Sequence, residues 1–143
     1  MIEMQIGGLG FDPRNLSPLV LLRDQEEMNF LPIWIGIFEA AAIAMELQNV
    51  KPPRPMTHDL MINFVQSLGG ALKRVLISDV KEGTFFAVVE IEKDGKTLKL
   101  DARPSDAIAL AVRAHVPVFV SEMVMMQAKL VNAEKDEEET KKF

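Results

Sequence analysis

Leu100–His115 reads LDARPSDAIALAVRAH. Two carboxylates (Asp101, Asp106), a guanidinium (Arg103), a proline (Pro104) and a hydroxyl (Ser105) are crowded ahead of an almost wholly apolar run. Leu98 and Leu100 alternate with Lys99 and Asp101, the period of a strand with its leucines inward and its polar residues outward. Pro104 suits the first turn of a helix, and Ala107 to Val112 continue it. The stretch is therefore a strand end passing into a buried helix. Backbone N–H groups point outward at such a junction, and the helix dipole favours anions there.

The chain on either side completes the pattern. Ahead of it, Val75 and Ile77 alternate with Arg74, Leu76 and Ser78. After a turn at Glu82-Gly83, Phe85, Ala87, Val89 and Ile91 face one way, and Asp94-Gly95 makes a tight hairpin. Beyond it, Val116–Val120 (VPVFV) reads as a short buried strand, and SEMVMMQAKLV as a short helix or a strand extension.

The N-terminal half repeats this order. Ile2–Ile6 and Pro18–Arg23 form a hairpin across GGLGFDPRN, and Met28–Ile35 is a third strand, placed at an edge or bulge by Pro32. An alanine-rich helix runs from Gly36 to about Asn49, exposing Glu39 and Glu46 on one stripe and burying the rest. Glu39-Ala-Ala-Ala-Ile-Ala then echoes Asp106-Ala-Ile-Ala-Leu-Ala, and Arg54-Pro-Met-Thr-His-Asp echoes Arg103-Pro-Ser-Asp. Between the halves, VKPPRP stops one helix. A second starts at Thr57, with Leu60, Met61, Phe64, Val65 and Leu68 as its packing face, and ends at Gly69-Gly70. The reading is α+β: a mainly antiparallel sheet with helices on one face, built from a duplicated unit of three strands and a helix. Residues 1–131 form the single domain, and 132–143 an acidic, disordered tail.

Composition narrows the function. The chain has 143 residues, no cysteine and two histidines, which excludes disulfides, thiolate metal sites and a cysteine nucleophile. No export signal or membrane span is visible, so a cytoplasmic protein without membrane contact is expected. Of the net charge of −5, the tail from Glu134, with five acids and three bases, carries −2 and the body −3. No broad basic stripe suits a nucleic acid. Ser105 lacks the glycine elbow of a hydrolase nucleophile, and Gly7, Gly8 and Gly10 precede neither lysine nor helix, so they form no phosphate loop.

Two accounts fit the Arg-Pro junctions. In the structural one, Ser105 or Thr57 caps its helix, Asp59 and Asp106 meet positive helix ends, Arg54 and Arg103 pair with them, His115 meets a helix C-terminus, and Trp34 is packed. In the chemical one, Glu39, Asp101 and Asp106 converge on Mg²⁺ or Mn²⁺, with Asp59 beside them. Arg54, Arg103 and Ser105 then take the substrate phosphate, and His58 acts as general base or acid. Met123, Met125 and Met126 suit a core edge or a subunit contact.

LPIWIG followed by Glu39-Ala40, then RPMTHDL, then DARPSDAIALAV, in that order, resemble the bifunctional nuclease domain family of bacteria and plants. The likeness covers about Met1 to Val131. It implies an α+β fold and, through the plant members, nuclease activity on DNA and RNA, with single-stranded nucleic acid as partner. The motif positions it marks are Glu39, Arg54, His58, Asp59, Asp101, Arg103, Ser105 and Asp106. The alternative function is a non-catalytic binding or regulatory module. A homo-oligomer, in the first instance a dimer, is expected.

Overall fold

The computed structural model describes residues 1–14, 16–26 and 28–128; the acidic tail lies outside them. Strands β1 (Ile2–Asp12), β2 (Ser17–Arg23) and β3 (Phe30–Trp34) lead into helix α1 (Ile37–Leu47) and then α2 (Thr57–Ser67). Strands β4 (Ala71–Lys81), β5 (Thr84–Lys93) and β6 (Lys96–Ala102) lead into α3 (Pro104–Ala114) and β7 (Val118–Val120). A last helical segment, α4, occupies 122–128.

All seven strands join one sheet in the order β3-β2-β1-β7-β4-β5-β6. Every pairing is antiparallel except β4 with β7. The two three-strand units run outward from β7 on its two sides. The sheet's inner face is set by alternation: Met4, Val20, Leu22, Leu31, Ile33, Val75, Ile77, Ala87, Val89, Val118 and Val120 are buried there. The helix α3 packs against α1, α2, β4 and β5. Its small residues Ala107, Ala109 and Ala111 are fully buried, which lets the neighbouring backbones approach closely.

Several expectations need correction. The strand β1 does not stop at Ile6. It runs on through the glycines, with a register shift between Ile6 and Gly8, because a bulge accommodates an extra residue without ending the ladder. The edge position of β3 agrees with Pro32. Trp34 is not packed away but half-exposed, its indole N–H donating to Asp12 Oδ2 at 3.2 Å. Only Ile43 of α1 is fully buried, and Phe38 is 88% exposed, because α1 touches α3 and β2 on one side alone. Leu98 and Leu100 lie on the expected face, opposite Ile91 and Val89, yet stay exposed because β6 is an edge strand.

The largest correction concerns α2. The residues Leu60, Met61, Phe64 and Leu68 face solvent, whereas His58 is buried and Val65, with Ile62, packs against the core. Ion pairs made by its first turn hold the polar edge against α3, and the rest of the apolar stripe rotates outward.

Candidate functional site

The starts of α1, α2 and α3 meet in one cleft. Arg103 is the N-cap of α3, in extended conformation, with Pro104 at the first helical position; Asp106 therefore projects from the first turn. Its Oδ1 lies 3.0 Å from His58 Nε2, and its Oδ2 accepts from Arg103 Nε at 2.9 Å. Arg103 Nη2 reaches Glu39 Oε1 at 2.8 Å. The result is a chain of alternating groups, Glu39, Arg103, Asp106 and His58, drawn from all three helices. Gly36 belongs to this geometry, since a Cβ there would overlap the Glu39 carboxylate.

Electrostatics follow from the contacts. Burial pushes the Asp106 carboxyl up, but hydrogen bonds from His58 and Arg103 outweigh it and hold the group below the usual aspartate range. The hydrogen bond to Asp106 raises the Arg103 guanidinium in turn. His58 is 6% exposed. With Nε2 facing a carboxylate that can only accept, Nε2–H donates to Asp106 Oδ1.

A second ion pair braces the first. Arg113, with only 5% of its side chain exposed, donates from Nε to Asp59 Oδ1 at 2.9 Å. Its Nη2 and Nη1 donate to the carbonyls of Ala42 in α1 and Ala109 in α3, at 3.0 and 3.2 Å. Asp59 Oδ2 accepts the Met56 N–H at 3.0 Å, closing the first turn of α2. One guanidinium thus ties three helices together next to His58. From sequence alone Arg113 is assigned no role; a lone cation on an otherwise apolar helix was the available signal.

The cleft, about 390 Å³, is lined by Phe38, Glu39, Met45, His58, Arg103 and Asp106 among others. Other motif residues lie elsewhere. Arg54 borders a separate cavity of about 520 Å³ with Lys51, Asp59 and His115, on the other side of Arg113. Ser105 is buried and borders a third with Gly36 and Phe85. Asp101 pairs across β6 with Val88, so alternation turns it to the sheet face away from the helices.

The donor set as arranged does not fit Mg²⁺ or Mn²⁺. Among the described residues no three His, Asp or Glu side chains form a group able to hold a metal ion, and Glu39 and Asp106 already share the Arg103 guanidinium as their cation.

Comparison with known proteins decides the family. A model of the bifunctional nuclease domain matches residues 20–133. The chain belongs to that family. The bifunctional nuclease domain here is 44% identical over 139 residues to the uncharacterized protein Rv1829 of Mycobacterium tuberculosis, covering 97% of this chain and 83% of that one. It is 27% identical over 109 residues to bifunctional nuclease 1 of Oryza sativa subsp. japonica and 28% identical over 108 to bifunctional nuclease 2 of Arabidopsis thaliana. Those matches cover 74% and 73% of this chain but 33% of each plant protein. Among the described residues, no helix of this family member is long and apolar enough to cross a membrane.

Proposed function

We propose that this domain hydrolyses phosphodiester bonds of single-stranded DNA and RNA in the cleft between α1, α2 and α3. The observation that carries the reading is the buried His58 held by Asp106 at 3.0 Å. With Nε2–H donated to Asp106, the neutral ring presents Nδ1 as a base. It takes a proton from a water molecule as the water oxygen bonds to phosphorus, the P–O bond to the leaving group breaks, and that oxygen is protonated from solvent. Asp106 stabilises the imidazolium as it forms. Arg103 uses Nε and Nη2 on its carboxylates, and its Nη1 side offers a donor to the phosphate. No step runs through a metal ion. The names of the plant relatives support the reading.

Purified protein is expected to cleave labelled single-stranded DNA and RNA in the presence of EDTA. His58→Ala and Asp106→Asn should each lower the rate by about 10²–10⁴-fold with the circular dichroism spectrum retained. Cleavage that persists in both variants overturns the proposal.

One observation favours a second reading, a non-catalytic binding module: Arg103 is engaged by two carboxylates, as a purely structural network would require. Its signature is loss of stability in both variants, with no cleavage by the parent protein.

A further inference from the structure

Among the described residues, strand β6 is an open edge of the sheet, paired with β5 on one side only. Its residues from Lys96 to Asp101 are all exposed. Leu98 and Leu100, 46% and 51% exposed, stand on the helix face, and Lys99 and Asp101 on the other. Lys99 lies across from Glu90, but the Glu90 carboxylate is already held by Arg74. The apolar surface continues beyond the strand. Gly70, at the end of α2, lies against both Val65 and Ile91, and Ile91 is the cross-strand partner of Leu98.

We infer that β6 pairs antiparallel with β6 of a second copy of this chain, about a twofold axis at Leu100. A twofold reverses the strand. Centred on Leu100, it sets Leu100 against its own counterpart, Leu98 against the partner subunit's Ala102, and Lys99 against the partner subunit's Asp101, the last pair occurring twice. Centred one residue earlier, it would set Lys99 against itself. Edge lysines ordinarily deter strand pairing, whereas here each meets an opposite charge, and cross-strand pairs of opposite charge stabilise a ladder. The contact is isologous. It joins the leucines of the two copies into one apolar row. The same register sets Thr97 of the partner subunit opposite Arg103, at the rim of the cleft.

Charge exchange tests the register. Light scattering on the full chain after size exclusion should find a dimer. Lys99→Asp and Asp101→Lys each place like charges across the axis and should raise the dimer dissociation constant at least about tenfold, with the melting curve of the monomer unchanged. Combining Lys99→Asp with Asp101→Lys should restore dimerisation. A monomeric parent protein overturns the inference. So does a dimer or larger assembly that survives both single changes, or a double variant that stays monomeric.

Discussion

Asp106 accepts hydrogen bonds from His58 and Arg103 at once, and that double engagement makes stability depend on pH. Its folded carboxyl is held below the ordinary aspartate value of 3.8. The native state therefore binds fewer protons than the unfolded chain near that pH. The stabilisation is complete above the unfolded value and shrinks as pH falls through the folded one. Melting temperatures of the parent and of Asp106→Asn should differ by a constant amount above about pH 5 and converge below about pH 4. A gap that persists at low pH would refute the assignment. At this level the sequence was half legible. Asp106, Arg103, Glu39 and His58 were picked out by residue type and do meet. Asp101, two residues before Arg103, does not, because strand alternation turns it to the other face of the sheet.

The docking of α2 shows why hydrophobic periodicity misled. Five apolar residues at helical spacing made one face look like the packing face, but only Val65 of them packs against the core, and the first turn is anchored through Asp59 to Arg113 and through His58 to Asp106. Removing a nearly buried guanidinium strands a carboxylate and two carbonyls. Arg113→Met is expected to lose about 3–5 kcal/mol in urea unfolding. In native-state hydrogen exchange, the amides of Thr57–Ser67 should open well before those of α3. Equal protection of the two helices in the variant would show that α2 is held by apolar contacts instead. The helix α3 was readable from end to end, since proline at its first turn, alanine spacing and a buried position in the final fold all agree.

The two three-strand units share one hydrophobic core, and the three-residue strand β7 is the seam between them. Val118 and Val120 are buried against residues of both units, pairing with β1 on one side and β4 on the other. Neither unit can expose its inner face without stripping the other. Unfolding is expected to be a single transition. The sole tryptophan, Trp34, lies in the N-terminal unit, so its fluorescence and the far-ultraviolet circular dichroism should give the same urea midpoint. Separate midpoints would show that the two three-strand units fold independently.

What the sequence determined alone was local: strand period, the helix start at Pro104, the repeated order of elements and the motifs that mark the family. These are set by interactions between residues near one another in the chain, where spacing maps directly onto geometry. The tertiary structure decided which side of α2 is buried, that Arg103 joins Glu39 to Asp106, and that Asp101 stands apart from LDARPSDAIALAVRAH's other polar groups. Each of these depends on contacts between elements far apart in sequence, such as His58 with Asp106 and Asp59 with Arg113. There, pairing of buried charge outweighs the orientation that apolar periodicity alone would select.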